Sequence, residues 1–238
     1  MFSLRAVSLI VILPLLYETW VYNVNLLVPE PYLDEFFHIQ QAQAYCAGSF
    51  GQWDPKITTP PGLYFISYFF NFIKEVVFST GGCSVAELRL LNLCVACPIL
   101  PLQLFNVRQG VMKSRRVSLG NDDVVHAVVN MSLFPLVFFF SGLYYTDICS
   151  ISLVLAAYQV HLWAPHEPLH RLHVKSLAML LIGLCALLMR QTNIFWVAIF
   201  LAGLTAVRQL KRNTGSKKFV GQTHDPPAED AFIEGQYF

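Results

Sequence analysis

The residues best suited to chemistry lie in one polar stretch between apolar runs, from Glu30 to Tyr64. Asp34, Glu35, His38 and Asp54 all fall within it, among aromatic residues. A carboxylate at a membrane surface is suited to act as a general base, because partial desolvation raises its pKa toward the working pH. The stretch therefore indicates proton-transfer chemistry in an extramembrane loop.

The spacing of these residues has two interpretations. If a helix begins at Pro31, then Asp34 and His38 are four residues apart on one face, whereas Glu35 points elsewhere. Acidic residues are also favoured in a first helical turn by the helix macrodipole, without any catalytic role. At the level of the sequence both interpretations stay open.

Two further polar groups stand between apolar runs, "YYTD" at 144–147 and "RQTN" at 190–193. Asp147 is suited either to a site or to capping a helix that begins at Ile148. Arg190 is suited to a phosphate, because a planar guanidinium donates two parallel hydrogen bonds. An arginine that merely reaches out to the membrane interface is the alternative.

The composition is that of an integral membrane protein. Of the 238 residues, 55% are hydrophobic and 13% are charged, and the mean hydropathy is +0.50. Soluble domains carry about 25% charged residues, and several runs here approach the ~20 apolar residues that cross a bilayer. The net charge of +1 gives no support for a nucleic-acid partner. No convincing set of metal ligands occurs, so we expect neither a metal nor a cofactor.

Seven apolar runs set the topology, at 6–28, 62–79, 88–107, 124–145, 148–164, 176–189 and 194–207. If all seven crossed the membrane from a cytosolic N-terminus, the basic loop from Arg108 to Arg116 would lie outside, against the positive-inside rule. The run 62–79 contains Lys74 and Glu75 and follows a Pro-Pro-Gly breaker. It suits a helix lying at the membrane interface. The sequence therefore predicts an all-α polytopic protein with six transmembrane helices.

This arrangement assigns each segment to a side of the membrane. Residues 1–28 form the first span, 29–87 a large luminal loop with the interfacial helix, and 88–207 the further spans. Residues 208–238 are rich in Gly, Pro and charge, and are expected to be a disordered cytosolic tail. Cys46 and Cys83 share the luminal loop and are candidates for a disulfide.

Several ordered motifs carry a family resemblance, namely "EPYLDEFFHIQQAQAYC", "WDPKITTPPGLY", "RLLN", "FPLVFFFSGLYYTD" and "MRQTNIFW". Together they resemble the eukaryotic dolichyl-phosphate-glucose-dependent α-1,2-glucosyltransferases of the endoplasmic reticulum. The resemblance covers roughly Glu30 to Asn193. It implies a GT-C-type helical bundle in the endoplasmic reticulum membrane, with a catalytic acid in the first luminal loop.

The resemblance also implies a reaction. The donor is dolichyl phosphate glucose, and the acceptor is the dolichol-linked oligosaccharide precursor of protein N-glycosylation, which receives its third and terminal glucose. A β-linked donor and an α-1,2-linked product imply inversion by a single displacement. Such a displacement needs one base and stabilisation of the departing phosphate, and the family implies no metal.

Residue roles follow from the matched motifs. Asp34 is expected to be the general base, with Glu35 as the alternate, and Arg190 is expected to pair with the lipid phosphate. Asp147 is expected to orient the acceptor. The remaining residues expected to bind substrate are His38, Trp53, Asp54, Gln191 and Asn193.

Members of this family are about twice as long as this chain, so we expect a truncated form containing the N-terminal catalytic half. Two alternatives remain beside a glucosyltransferase. One is a catalytically inactive fragment of the enzyme. The other is a small polytopic transporter using Glu18 and Arg190, although the chain has no inverted repeat.

Overall fold

The computed structural model of the chain describes residues 4–115, 117–163 and 174–216. Every regular element in these ranges is helical, which confirms the predicted all-α class. The α-helices of the described ranges are α1 (Leu4–Leu27), α2 (Glu35–Cys46), α3 (Gly62–Phe78), α4 (Val85–Cys94), α5 (Leu100–Arg115), α6 (Asn121–Ser132), α7 (Pro135–Ser141), α8 (Thr146–Trp163), α9 (Val174–Met189) and α10 (Leu201–Ser216).

Two helical segments are long and apolar enough to cross a membrane. One is Val7–Leu27, and the other is Val85–Arg115, in which a π-helical segment at Val95–Ile99 joins α4 to α5. The α6–α7 pair is a third candidate if both helices, bent by 65° at their junction, form one broken span. The described residues thus contain two or three membrane-capable segments, and the six spans stay a prediction.

The apolar run 124–145, treated above as one span, is interrupted at Pro135. α6 ends at Ser132, Phe134 has φ −55° and ψ 128°, and Pro135 begins α7. A residue that precedes proline avoids helical backbone. Proline itself costs no hydrogen bond at the first position of a helix, where its missing N–H would have no helical partner. Local chemistry therefore explains the bend.

α1 docks on the bent pair through two polar side chains. The buried Tyr17 hydroxyl donates to the Ser132 carbonyl oxygen at 2.7 Å, and Trp20 Nε1 donates to the Phe139 carbonyl oxygen at 3.3 Å. A Cβ at Gly142 would lie 2.6 Å from Trp20 Nε1, so glycine allows the indole to approach. Tyr17 thus satisfies a carbonyl that the end of α6 leaves without a helical partner.

α2 and α3 pack on each other outside the candidate spans. Their shared core contains Ile39, Ala42, Tyr45, Leu63 and Tyr64. The side of α3 away from α2 exposes Phe69, Phe72, Ile73, Val76, Val77 and Phe78. Near the end of α3, Lys74 Nζ lies 3.1 Å from Glu87 Oε1 of α4, which joins the two helices across the intervening loop.

The chain divides into two compact units, Met1–Ile199 and Phe200–Phe238. The described part of the second unit consists mainly of α10. This helix extends past Arg208 to Ser216, so the first residues of the segment expected to be a disordered tail are helical. Residues 217–238 of that segment lie outside the described residues, and the division into domains at 207 stays a prediction.

A disulfide joins Cys46, at the end of α2, to Cys83, just before α4. The Cα atoms are 6.6 Å apart, and Gln43 Nε2 donates to the Cys83 carbonyl oxygen at 3.0 Å. The pairing inferred from the shared compartment is therefore confirmed. The bond closes a loop with a sequence separation of 37 residues. Loop-closure entropy gives such a bond roughly 4 kcal/mol of stabilisation.

We expect Cys46→Ser and Cys83→Ser each to remove this disulfide and to lower the free energy of unfolding by roughly 4 kcal/mol. The bond is measured by blocking free thiols, reducing, and attaching a PEG-maleimide. The wild-type protein should gain two PEG groups and each variant none. Cys185→Ser, which removes an exposed free cysteine, is the control and should keep both. Wild-type protein that gains no PEG after reduction would contradict the pairing.

Candidate active site

A buried ion pair between Glu35 and Arg89 lies beneath the predicted site. Arg89 Nε donates to Glu35 Oε1 at 2.9 Å, and Arg89 Nη2 donates to Glu35 Oε2 at 2.7 Å. Both side chains are 0% exposed. The same carboxylate also accepts from the backbone N–H groups of Tyr32 at 2.9 Å and Tyr144 at 2.7 Å. Glu35 is thus surrounded by donors and has no surface for a substrate.

The remaining donors of Arg89 hold the chain between α1 and α2. Nη1 donates to Asn25 Oδ1 at 3.1 Å and to the Val28 carbonyl oxygen at 2.8 Å, and Nη2 donates to the Glu30 carbonyl oxygen at 3.1 Å. A guanidinium has five N–H groups in a rigid plane. By binding these three oxygen atoms, the guanidinium of Arg89 fixes the path of the loop between α1 and α2.

The helix start at Pro31, considered above as one condition for the spacing of Asp34 and His38, does not occur, because α2 begins at Glu35. Leu33 has φ +52°, in the left-handed region that side chains rarely adopt. With this turn in place, Arg89 and Glu35 bind the backbone on either side of Pro31. Asp34 and His38 are nevertheless one helical turn apart, since His38 N donates to the Asp34 carbonyl oxygen at 3.3 Å.

Asp34 immediately precedes α2 and is exposed. Its carbonyl oxygen accepts from the N–H groups of Phe37 at 3.1 Å and His38 at 3.3 Å, so the first helical turn positions the residue. Its carboxylate forms no hydrogen bond or ion pair with the described part of the chain. Asp34 is therefore available to a ligand, unlike its neighbour Glu35.

His38 lies one helical turn beyond Asp34. Its Nδ1 is 2.7 Å from the Tyr64 hydroxyl oxygen, and its ring centroid is 5.8 Å from that of Tyr145. Burial lowers the pKa of the imidazole, and this effect exceeds the opposing influence of nearby acids. The charged groups close enough to act on this pKa are Asp34, Arg190, Asp147 and Glu35. The three polar segments singled out in the sequence therefore converge around one imidazole.

Arg190 and Asp147 form the second ion pair of the site. Arg190 Nη2 donates to Asp147 Oδ2 at 3.0 Å, and Nε donates to Thr146 Oγ1 at 2.9 Å. The two charged side chains are 40% and 22% exposed, so a ligand has access to them. α8 begins at Thr146, so Asp147 lies within the helix rather than capping one that starts at Ile148. Asp147 holds the guanidinium instead of leaving it to reach out to the interface.

The neighbours of Arg190 differ in accessibility. Gln191 is exposed. Asn193 is buried, and its Nδ2 donates to Ser150 Oγ at 2.8 Å and to the Ala186 carbonyl oxygen at 2.7 Å. Asn193 therefore connects α8 to α9 and has no free face for a substrate.

Trp53 and Asp54 lie in the loop between α2 and α3. The buried Gln41 of α2 holds this loop, since its Nε2 donates to the Gln52 carbonyl oxygen at 2.7 Å and its Oε1 accepts from Asp54 N at 2.9 Å. Asp54 Oδ1 accepts from Lys56 N at 2.9 Å, which closes a local turn. Trp53 is 42% exposed and lies 5.9 Å from the Tyr64 ring, so its indole is open to a sugar face.

Two residues of the "RLLN" motif hold the site together, although sequence reasoning gave them no role. Asn92, three residues after Arg89, donates to the carbonyl oxygens of Leu143 at 2.6 Å and Tyr145 at 2.9 Å. Residues three apart lie on one helix face, so α4 positions both the 28–35 segment and the α7–α8 loop. The sequence feature that could have indicated this role is Arg89, an ionisable residue within an apolar run.

Among the described residues, no group of three or more His, Cys, Asp or Glu is placed to hold a metal ion.

The family model that matches this sequence is that of the DIE2/ALG10 family, over residues 28–233. The chain belongs to the DIE2/ALG10 family. The matched range contains all the predicted site residues together with Arg89 and Asn92, and the resemblance inferred from the motifs is confirmed.

Curated relatives carry one name, Dol-P-Glc:Glc(2)Man(9)GlcNAc(2)-PP-Dol alpha-1,2-glucosyltransferase. A relative from Emericella nidulans is 45% identical over 201 residues, which is 84% of this chain and 33% of the relative. Those from Arabidopsis thaliana and Homo sapiens are 37% and 34% identical over 73% and 86% of this chain, and the chain covers 33% and 42% of them. No solved structure matches the chain. This member of the DIE2/ALG10 family thus spans less than half the length of these relatives.

We expect Glu35→Gln and Arg89→Met each to lower the free energy of unfolding by about 3–5 kcal/mol, because each leaves one buried charge without its partner. Lys74→Met is the control. It breaks the more exposed pair with Glu87 and should cost about 1 kcal/mol or less. Denaturant unfolding in micelles measures all three. Equal midpoints for Glu35→Gln and Lys74→Met would show that the buried pair does not hold the fold.

Proposed function

We propose that this chain carries the catalytic centre of a glucosyl transfer. The glucose moves from dolichyl phosphate glucose to the terminal glucose of the dolichol-linked oligosaccharide precursor of protein N-glycosylation. The observation that supports this most directly is the convergence of an accessible carboxylate, Asp34, and an accessible guanidinium, Arg190, around His38. The relatives' shared name supplies the substrates and the α-1,2 linkage.

The proposed chemistry is one displacement with inversion. Asp34 accepts the proton of the acceptor 2-hydroxyl as that oxygen attacks C1 of the donor glucose. The bond from C1 to the phosphate oxygen breaks, and its electron pair leaves with dolichyl phosphate. Arg190 stabilises the charge that develops on the leaving phosphate, which is the usual task of a guanidinium in such a site.

Each of the other residues either contacts substrate or positions a residue that does. Asp147 and Thr146 hold Arg190 ready for the phosphate. Trp53 and Gln191 are exposed and suited to sugar contacts, while Asp54 shapes the loop that carries Trp53. Glu35 and Asn193 are buried and fully hydrogen-bonded, so we assign them positions in the framework rather than in the reaction.

The proposed setting is the luminal side of the endoplasmic reticulum membrane, with six spans in a multi-pass bundle and membrane lipids as neighbours. The Cys46–Cys83 disulfide supports a luminal loop, because disulfides persist in the oxidising secretory compartment. The exposed aromatic side of α3, together with Lys74 and Glu75 near its end, supports a helix lying at the membrane interface.

We expect Asp34→Asn to reduce glucosyl transfer by about 10²–10⁴-fold, since it removes the proton acceptor and keeps the side-chain shape. The chain is expressed in cells that lack the terminal glucosyl step, and the lipid-linked glycans are analysed by mass spectrometry. The control is Glu30→Gln, which neutralises another exposed acid of the same loop and should keep wild-type transfer.

The same experiment separates an enzyme from an inactive fragment. Transfer by this chain that is lost in Asp34→Asn supports the proposal. Rescue by the full-length human relative but not by this chain would overturn it and assign the chain as a fragment without its own activity.

We expect a cysteine at Glu75 to react with a membrane-impermeant maleimide only from the lumen, because α3 is proposed not to cross the bilayer. Sealed and permeabilised microsomes distinguish the sides, in a background where the exposed Cys185 is serine. A cysteine at the exposed Lys113, near the end of α5, is the control and should react from the cytosol. Cytosolic labelling at position 75 would exclude an interfacial α3.

A further inference from the structure

The hydrogen bond between His38 and Tyr64 has a direction that follows from the chemistry of both groups. The two atoms, His38 Nδ1 and Tyr64 Oη, are 2.7 Å apart. Tyr64 is wholly buried, and its ring packs at 5.6 Å from Tyr45 and 5.9 Å from Trp53, so the hydroxyl has a defined position. Burial raises the pKa of this phenol, and it remains protonated.

A neutral imidazole nitrogen is a stronger acceptor than a phenol oxygen, because it is the stronger base. The tautomer of His38 decides which atom donates, and basicity favours the arrangement in which the Tyr64 O–H donates to His38 Nδ1. In a neutral imidazole one nitrogen carries the proton and the other accepts. The proton of His38 then sits on Nε2, which is the one ring nitrogen left to contact a ligand.

A neutral His38 ring suits the charged groups around it. Burial lowers the pKa of His38 below its usual 6.5, so the ring is uncharged at neutral pH. An imidazolium would place a second positive charge near Arg190, whereas a neutral N–H offers a hydrogen bond without that repulsion. The groups that face or influence the ring are Asp34 before α2, Glu35 of α2, Tyr64 of α3, Tyr145 before α8, Asp147 of α8 and Arg190 after α9.

We propose that Tyr64 is a positioning residue that holds His38 as the Nε2-protonated neutral tautomer, and that His38 Nε2–H donates to an oxygen of the sugar phosphate lying between Asp34 and Arg190. The contact of His38 with the sugar phosphate rests on the proposed glucosyl transfer. The tautomer of His38 is a property of the protein alone, and its test needs no measurement of activity.

The tautomer is measured by ¹⁵N NMR of the full chain in nanodiscs with labelled histidine, and the His38 signals are those absent from His38→Gln. The expected spectrum shows Nδ1 as an acceptor and Nε2 protonated at pH 7. In Tyr64→Phe the bond that favours the neutral form is lost. The affinity of His38 for a proton should therefore rise roughly two- to tenfold, as expected for one hydrogen bond.

Tyr68→Phe is the matched control, since it removes a hydroxyl one turn further along α3 and should leave the His38 signals unchanged. A proton on Nδ1, a charged ring at pH 7, or a Tyr64→Phe spectrum identical to wild type would overturn the tautomer assignment.

The ligand contact is measured by the pH dependence of glucosyl transfer. The amide nitrogen of His38→Gln overlaps Nε2, so this variant should lose less transfer than His38→Asn. The part of the decline toward acid pH that arises from His38 should disappear, because glutamine does not titrate. The amide of His38→Asn overlaps Nδ1 instead and should lose about 10–100-fold, the value of a hydrogen bond to a charged group. In Tyr64→Phe the loss toward acid pH should begin at a higher pH, since protonation of His38 becomes easier.

Equal transfer by the Gln and Asn variants would overturn the donor role while leaving the proposed glucosyl transfer intact. Absence of transfer by the wild-type chain would instead overturn the proposed function, and with it the proposed ligand contact. The NMR result would still decide the tautomer.

Discussion

Glu35 and Arg89 are two charges without any contact with solvent, and the candidate site depends on how they are neutralised. Removing a carboxylate and a guanidinium from water costs several kcal/mol per ion unless nearly every donor and acceptor finds a partner. The partners here come from the end of α1, the loop before α2, α4 and the α7–α8 loop. Satisfying one ion pair therefore brings together three stretches that are distant in the sequence, residues 25–35, Arg89 of α4 and Tyr144.

Because Glu35 must pair with Arg89, the adjacent acids Asp34 and Glu35 have different roles. Successive residues at a helix start differ by about 100° in direction, since an α-helix has 3.6 residues per turn. Glu35 consequently points into the protein toward Arg89, and Asp34 points out toward the ligand. Arg190 and Asn193, three residues apart, also differ in exposure, since Asn193 is buried and Arg190 is accessible. In both places a buried polar residue holds the chain near an accessible charged one.

The proposed reaction uses groups that are far apart in the sequence but lie close to one imidazole, that of His38, in the structure. Asp34 precedes α2, Asp147 belongs to α8 and Arg190 follows α9, yet all three influence the pKa of His38. The disulfide and the Lys74–Glu87 pair hold α2 and α3 against the start of α4, outside the candidate spans. These links join the polar segments that carry the candidate site to the start of α4.

The amino-acid sequence by itself determined the membrane class, the helical content and the family, because these follow from composition, from runs of apolar residues and from motif order. It offered Cys46 and Cys83 as candidates for a disulfide, and the structure shows the bond. It located Asp34, Asp147 and Arg190 but left each with a second interpretation. It did not place the start of α2 or the bend within the run 124–145. Only the tertiary structure decided that α2 begins at Glu35 and that Glu35 is unavailable to a substrate. The reason is physical: the partner of Glu35 is Arg89, 54 residues away, and no local periodicity records a contact at that separation.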